Sequence, residues 1–458
     1  MIFKQISSRL VILIKEFFGK GHERTKNVKK NIFASFMIRG LSIMISLMLV
    51  PLTIKYINSI QYGIWITLSS IIGWLGYFDI GFGNGLRNKF AESIAKGNHE
   101  MAKVYVSTTY AVLSLIILVV VLVTFIVNPL LNWSRILNAP EIMKSTLGQL
   151  ALIAIVFFCF QLLLNLLGTV LTANQQPAKA SVFNLIANVI SLSAIFILSK
   201  TTHGNIFYLG IAIIVPPVLV LSISSIWFYT HKYRVYAPSL NYVDFRYVRS
   251  LMGLGIKFFI LQISALILYQ TSNIIIAHLF GSENVTLYNI AFKYFNIVPM
   301  VMLIIMMPLW SAFTDAWARK EVKWITETMK KLNYIWIALF VLVVIMLILS
   351  NMVYILWVGS DLHVSFSISL ALGITIIINI GTYVYSIFLN GVGIIKIQLI
   401  LAVLGTIIYI PLAILFGKMI GIPGVILATS LINVVNLVFF IIQYKKIVTS
   451  RAKGLWLK

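Results

Sequence analysis

Residues 104–127 read VYVSTTYAVLSLIILVVVLVTFIV and carry no charged side chain over 24 positions. A helix rises about 1.5 Å per residue, so this stretch is long enough to cross the bilayer hydrocarbon core of about 30 Å. The rest of the 458-residue chain is similar, because 60% of its residues are hydrophobic, 10% are charged and the mean hydropathy is +0.98. Soluble domains are only about half apolar. The sequence therefore predicts an all-α polytopic membrane protein.

Eleven further apolar runs of similar length predict a total of about 12 transmembrane helices, arranged as two lobes of six. The predicted spans are 31–57, 62–82, 104–127, 145–172, 181–199, 206–229, 254–280, 288–313, 332–357, 366–390, 398–417 and 421–442.

The cations sort strongly to one side of these spans. Of the 36 Lys and Arg residues, 29 fall on the side that holds both termini and only five on the other side, when Lys55 and Lys257 at the ends of spans are counted with the nearer side. The positive-inside rule therefore predicts that the N- and C-termini are both cytoplasmic. The same sorting explains the net charge of +24 without nucleic acid as a partner. The five outer cations are Lys55, Arg135, Lys144, Lys200 and Lys418.

The spans and loops divide the chain into five parts. Residues 1–30 are basic with apolar positions at helical spacing, which predicts an amphipathic helix on the cytoplasmic face. A six-helix lobe over 31–230, a cytoplasmic linker over 231–253, a second six-helix lobe over 254–443 and a basic cytoplasmic tail over 444–458 follow. FAESIAK at 90–96 and FTDAWAR at 313–319 share one pattern and indicate a parallel repeat. Such repeats hold a substrate between two lobes near the bilayer midplane.

Polar residues recur at helical spacing inside several spans. The first span carries Asn31, Ser35, Arg39, Ser42 and Ser46, all on one helical face. Such residues either bind a substrate or hold helices together by hydrogen bonds. The predicted substrate-binding residues are Arg39, Lys293, Asn31, Ser42, Asn165, Gln262, Asn273, Asn296 and Asn379.

Arg39 and Lys293 need a compensating partner, because a cation at the bilayer centre costs about 2.5–3.5 kcal/mol on insertion scales. One interpretation is that both side chains snorkel to the membrane surface or pair with Asp79. The other is that both face a water-filled cavity whose positive charge binds an anionic substrate, which we favour.

The stretch DIGFGNGLRNKF at 79–90 resembles a phosphate loop only superficially. Its glycines match neither GxGxxG nor GxxxxGK followed by Ser or Thr, and they follow a membrane span. We interpret them as a helix end where two helices bend or pack closely. The predicted gate or helix-end residues are Asp79, Gly83, Gly85 and Arg87.

The block YGIWITLSSIIGWLGYFDIGFGNGLRNKFAESIAKGN at 62–98 resembles the second and third helices of the O-antigen (Wzx-type) polysaccharide flippases. Tyr62, Gly63, Trp65 and residues 79–87 carry the resemblance. This family belongs to the multidrug/oligosaccharidyl-lipid/polysaccharide exporter superfamily, whose multidrug and toxin extrusion (MATE) transporters share its fold.

The resemblance implies a transporter of the bacterial cytoplasmic (inner) membrane. It would move an undecaprenyl-pyrophosphate-linked oligosaccharide from the cytoplasmic to the periplasmic or outer leaflet by alternating access, without ATP. Arg39 and Lys293 would then meet the pyrophosphate, and the amide-rich faces of the fourth, seventh and tenth helices would meet sugar hydroxyls. Other implied partners are membrane lipids, H⁺ or Na⁺ as the coupling ion, and the glycan polymerase machinery.

Other functions are weighed against this one. A cation-coupled MATE-type multidrug antiporter is expected to keep acidic residues inside the membrane, where this chain offers only Asp79. A membrane glycan polymerase or ligase usually needs a larger outer loop than residues 128–144, and a lipid II flippase usually has additional spans. Cys159 and the scattered histidines have no metal-ligand spacing. We therefore predict no metal, no cofactor and no enzyme activity.

Overall fold

The computed structural model describes residues 23–79, 81–174, 176–252 and 255–457, and in these ranges the regular structure is entirely helical. The prediction of an all-α membrane fold is confirmed. Nine helical stretches in the described residues are long and apolar enough to cross a membrane. The count of 12 spans and the cytoplasmic position of both termini stay predictions.

The described residues of the first half form nine helices. Several begin where an Asn side chain accepts a hydrogen bond from a backbone N–H of the first turn, as Asn58 and Asn98 do. The helices are α1 (Glu23–Ile57), α2 (Ser59–Trp74), α3 (Phe82–Ala95), α4 (His99–Val127), α5 (Trp133–Ile136), α6 (Lys144–Leu164), α7 (Leu166–Ala173), α8 (Pro177–Thr201) and α9 (Ile206–Thr230).

The second half follows a linker with short 3-10 turns. Its helices are α10 (Val248–Met252), α11 (Gly255–Phe280), α12 (Ser282–Phe295), α13 (Ile297–Ala318), α14 (Val322–Val358), α15 (Phe366–Val392), α16 (Lys396–Ile420) and α17 (Ile422–Val448). Helix α14 begins ten residues before the predicted span at 332, because its charged first turns continue the helix outside the apolar run.

Three of the predicted spans are not single straight helices. The span at 62–82 consists of α2, a 3-10 segment over Leu75–Asp79 and α3, which begins after Gly81 at φ +79°. The spans at 145–172 and 288–313 are interrupted at Asn165 and Asn296, respectively. At Asn165 and Asn296 the backbone N–H and carbonyl keep their hydrogen bonds, so these backbone groups stay satisfied inside the predicted spans.

Two hydrophobic cores hold these helices together. The larger core joins both halves and includes Ile64 and Leu68 of α2 with Val285 and Ile290 of α12. The smaller core lies in the first half and packs α3, α4 and α7 against linker residues. The two halves are therefore in contact mainly through α2, α11 and α12.

The linker between the halves is docked on the first half. The Ser239 N–H donates to Ser107 Oγ at 3.1 Å, and the Asp244 N–H donates to Thr108 Oγ1 at 3.0 Å. The Asn174 amide donates to the Tyr233 hydroxyl at 2.8 Å. The division of the chain into segments at 30, 230, 253 and 443 stays a prediction. The amphipathic helix expected in residues 1–22 lies outside the described residues, whereas residues 23–30 already belong to α1.

Candidate functional site

One face of α12 carries a line of polar residues along the boundary between the halves. Ser282, Thr286, Asn289 and Lys293 follow each other at spacings of 4, 3 and 4 and therefore share a helical face. The Ser282 hydroxyl donates to the Asn138 carbonyl at 3.2 Å, and the Thr286 hydroxyl donates to the Ser59 carbonyl at 2.6 Å. We call the contacts made by residues 282 and 286 with the first half the seam.

The seam includes a direct backbone contact. Gly63 of α2 packs so closely on α12 that a Cβ at this position would overlap the Ser282 carbonyl oxygen. Only glycine allows two backbones to approach in this way. The Asn138 amide adds a bond to the Ala277 carbonyl at 2.7 Å. The seam lies at the end of the molecule that the charge pattern predicts to be outside.

An amide network extends the seam toward the membrane centre. The Asn289 amide donates to Asn273 Oδ1 at 2.8 Å, and the Asn273 amide donates to Ser70 Oγ at 2.8 Å. All three side chains are buried. Asn273, predicted to bind sugar, is therefore engaged by α2 and α12 in this arrangement of the two halves.

Lys293 lies one turn beyond the amide network on the same face. It is eleven residues from the start of α12, which places it about 16 Å along the helix. Its side chain is half-buried, and among the described residues it has no ion pair or hydrogen-bond partner. An unpaired cation at this depth is costly, so Lys293 at the inner limit of the seam is suited to bind an anion.

A cavity of about 280 Å³ opens beside α12 within the second half. Two predicted binding residues, Asn296 and Asn379, line it, and so does Thr375, which lies one turn before Asn379 on α15. Sequence reasoning missed two other lining residues, Tyr288 and Thr429. Aromatic residues and isolated hydroxyls are common in membrane helices, so neither position stood out.

The polar groups of this cavity differ in how they are satisfied. The Ser272 and Tyr409 hydroxyls share a hydrogen bond at 2.6 Å, and Thr375 donates to the Ala371 carbonyl at 2.7 Å. The side-chain amides of Asn296 and Asn379 have no such partner among the described residues. An amide both donates and accepts, so these two groups match the hydroxyls of a sugar.

The described part of α1 carries an exposed apolar stripe. Met37, Leu41, Met44 and Met48 form this stripe, at 44–61% exposure. Ser42 lies off the stripe and is partly buried. The Ser42 hydroxyl donates to the Ile38 carbonyl at 2.9 Å.

The side chains of Arg39, Asn31 and Gln262 lie outside the described residues, so a shared cationic cavity formed by Arg39 and Lys293 stays a prediction. Asn165 is described and exposed at the break between α6 and α7. An exposed amide inside a predicted span is compatible with a polar cavity on the first half.

The glycine-rich stretch is a helix interruption with a carboxylate cap. Asp79 accepts hydrogen bonds from the N–H of Gly81 at 2.6 Å and of Gly83 at 3.2 Å, at the start of α3. Both carboxylate oxygens are therefore used by the backbone. A Cβ at Gly83 would lie 2.8 Å from Asp79 Oδ2, and a Cβ at Gly85 would overlap the Leu251 carbonyl of α10. Arg87 is exposed.

Comparison with known proteins gives consistent results. A family described as "Polysaccharide biosynthesis protein" matches residues 28–314, which is more than half of the chain. A protein of Yersinia pseudotuberculosis described as "Putative O-antigen export protein" is 20% identical over 368 residues, covering 78% of this chain and 82% of the relative.

Solved structures of MATE transporters share the fold. An inward-facing multidrug resistance MATE transporter of the MOP superfamily superimposes with a TM-score of 0.74 at 12% identity, covering 92% of this chain and 98% of that one. A MATE structure in the straight conformation gives a TM-score of 0.63 at 14% identity, covering 93% and 96%.

Proposed function

Because this chain belongs to the polysaccharide biosynthesis protein family, we propose that it is a flippase for a lipid-linked glycan. It carries an undecaprenyl-pyrophosphate-linked oligosaccharide from the cytoplasmic to the outer leaflet of a bacterial cytoplasmic membrane. The chain is a multi-pass membrane protein whose family and relatives are named for polysaccharide synthesis and export. The observation that carries the proposal is Lys293 at the inner limit of the seam, which has no ion pair or hydrogen bond in the part of the chain that the structure describes.

The substrate has two parts with different chemical needs. Its pyrophosphate needs cationic partners in a medium of low dielectric, and Lys293 supplies one, with Arg39 as the second expected cation. Its sugars need groups that both donate and accept. Asn296, which is three residues from Lys293 in sequence, and Asn379, which lines the same cavity as Asn296, offer such groups. Neither part requires a catalytic group, which agrees with transport rather than enzyme activity.

The seam supports a mechanism of alternating access. It closes the predicted outer end with several hydrogen bonds, and interhelical bonds in membrane proteins contribute only about 0.6 kcal/mol each on average. Together with the apolar contacts between α2 and α12, these bonds form a closure that has to separate when the outer side opens. The similarity to an inward-facing MATE structure agrees with a state that is closed on the outer side.

A cation-coupled multidrug antiporter is the second candidate, and the MATE-like fold favours it. Such a transporter needs an acid that is free to bind a cation inside the membrane. Asp79 instead caps α3 with both oxygens. The unpaired intramembrane charge in the described residues is the cation Lys293, so an anionic substrate fits better. A glycan polymerase or ligase would need a group of acids or a nucleophile facing the cavity.

The test is reconstitution in liposomes with a defined undecaprenyl-pyrophosphate-linked oligosaccharide. Glycan that reaches the outer leaflet is measured with an added glycosidase that does not cross the membrane. The wild type should translocate the glycan, and Lys293→Met should lower the rate at least about tenfold, because the loss of one buried charge pair costs more than 1.4 kcal/mol. Imposed H⁺ or Na⁺ gradients in the same assay identify the coupling ion.

Lys418→Met is the matched control, because Lys418 is an exposed cation at the end of α16, away from the seam and the cavity. It should translocate glycan at the wild-type rate. If the wild type moves no glycan but exchanges a cationic drug for protons or sodium, the antiporter is the correct function. If Lys293→Met moves glycan normally, Lys293 does not bind the pyrophosphate.

A further inference from the structure

A second hollow, which we call the groove, lies between the first helix and the second half of the chain. It measures about 620 Å³ and is almost entirely apolar. Met44, Met48 and Leu52 of α1 form one wall, and Tyr294, Val353 and Trp357 belong to the opposite wall. Methionine side chains adapt their shape to what they contact. The groove is therefore suited to a long flexible apolar chain.

Among the described residues one hydrogen bond joins the two walls, and the sequence explains it. Pro51 has no N–H, so the carbonyl of Leu47 one turn earlier has no partner within α1. The Trp357 indole N–H donates to this carbonyl at 2.9 Å. The wall of α14 is thus held to α1 at one point, and any relative movement of the two halves changes the width of the groove.

A cation stands at one end of the groove. Lys55 lines it in the last turn of α1, on the predicted outer side, where few cations are found. Lys144 has Glu141 at 3.9 Å, and Lys200 has the Phe196 ring at 6.0 Å. Lys55 is exposed and has no such partner among the described residues. An apolar groove that ends at an unpaired cation matches a lipid with an anionic headgroup.

We propose that the groove binds the isoprenoid chain of the carrier lipid and that Lys55 binds its phosphate. This inference rests on the proposed function, which supplies such a lipid. The carrier fits better than a bilayer phospholipid, because both halves form the walls and a chain held here follows their movement. The flat faces of Tyr294 and Trp357 also suit a methyl-branched, unsaturated chain. The groove is thus the position of the lipid on the predicted outer side, after its pyrophosphate has left Lys293.

The test uses the full chain in nanodiscs with an isoprenoid phosphate that carries a benzophenone and no sugar. After irradiation, labelled peptides are identified by mass spectrometry. We expect labels in residues 44–55, 294–297 and 353–357, reduced by excess unlabelled isoprenoid phosphate and not by excess phosphatidylglycerol. Equal competition by phosphatidylglycerol would identify the groove as an ordinary lipid site, and labels confined to other helices would overturn the proposal.

Two variants with matched controls sharpen this test. Lys55→Gln should lower labelling about two- to fivefold, as expected for an exposed ion pair, whereas Lys418→Gln should leave it unchanged. Met48→Trp fills the groove and should lower labelling at least about fivefold, whereas Leu41→Trp, on the same helix outside the groove, should not. Both replaced side chains are at least half exposed, so the fold tolerates the change. Unchanged labelling in both test variants would contradict the proposal.

The outcomes separate this inference from the proposed function. Specific labelling of the groove without glycan translocation in liposomes would support the lipid site and contradict the proposed flippase function. Translocation by the wild type together with labels elsewhere would support the flippase function and contradict the lipid site in the groove.

Discussion

The two ends of the molecule are held together in different ways. At the predicted outer end, the halves touch each other directly, with Gly63 of α2 against the Ser282 carbonyl of α12. At the predicted inner end, the first half touches the linker instead, with Gly85 of α3 against the Leu251 carbonyl of α10. Close contact between a glycine and a backbone carbonyl therefore joins the two halves at the outer end and attaches the linker to the first half at the inner end.

Under the proposed alternating-access mechanism, this difference indicates which contacts must break during transport. The linker shares the smaller core with the first half, through Tyr233 and Leu251, and it is tied to α4 by Ser107 and Thr108. It should therefore move as part of the first half. The seam joins the halves themselves, so an outward opening has to separate it.

The largest effect is expected from Gly63→Ala. Its Cβ would overlap the Ser282 carbonyl, and backbone that is fixed in a helix cannot move aside easily. Overpacking of this kind costs about 1–3 kcal/mol, which would lower glycan translocation about ten- to a hundredfold by preventing closure. Gly40→Ala on α1 is the control, because a Cβ there meets nothing within 4 Å. Normal translocation by Gly63→Ala would show that the seam does not need to close.

Gly85→Ala should have a smaller effect on the same assay. Its Cβ would overlap the Leu251 carbonyl, but Leu251 belongs to the five-residue helix α10, which can shift with the linker. We expect the free energy of unfolding to fall by about 1 kcal/mol and translocation to fall less than tenfold. The control is Gly168→Ala, where a Cβ would be at an ordinary 3.7 Å from Ala180. Equal losses for Gly63→Ala and Gly85→Ala would remove the distinction between the two ends.

The amide network offers a finer test of the seam. Asn273→Leu and Asn289→Leu each leave a buried polar partner unsatisfied, so each should destabilise the folded state by about 1 kcal/mol. The double variant should cost less than the sum, with a coupling of about 0.6 kcal/mol. Unfolding free energies in mild detergent measure the cycle. Strict additivity would mean that the two amides do not interact.

The smallest effect concerns the exposed pair in the linker. The Arg246 guanidinium donates to Asp244 at 2.7 Å and lowers the pKa of this carboxyl from its ordinary value of 3.8. The unfolded chain therefore binds the proton at higher pH, so the pair stabilises the fold above about pH 4 and this contribution is lost as the pH falls further. Asp244→Asn should abolish that part of the acid dependence of Tm and leave translocation at pH 7 unchanged. An unaltered acid profile would contradict this role.

The sequence predicted the helices and named two residues that line the cavity within the second half, whereas a cavity shared by the two lobes stays a prediction. Apolar runs locate membrane helices because the bilayer requires them, and polar residues at helical spacing predicted Asn379 as a binding residue. Asn296 was predicted as well, and the two residues meet at one cavity. The sequence was ambiguous at Asn273, because an amide inside a span either binds a substrate or joins helices. Its hydrogen bonds with Ser70 and Asn289 show that it joins helices in this arrangement.

The seam and the groove could not be predicted from one sequence. Gly63 and Ser282 are 219 positions apart, and no local pattern in either segment predicts that the two are in contact. Pro51 was a partial signal, since a proline in a span leaves a carbonyl free, but its partner Trp357 lies in the other half of the chain. Such pairings depend on how the two halves pack, which helical periodicity does not contain.

The most direct measurement is a reversible lock across the seam. The Thr286 hydroxyl donates to the Ser59 carbonyl, so cysteines at 59 and 286 are close enough for a short thiol cross-link in a Cys159→Ala background. We predict that the linked protein in liposomes translocates glycan no faster than empty liposomes, and that reduction restores the rate of the Cys159→Ala background. Full translocation by protein whose cross-link is verified by mass would contradict alternating access through this seam.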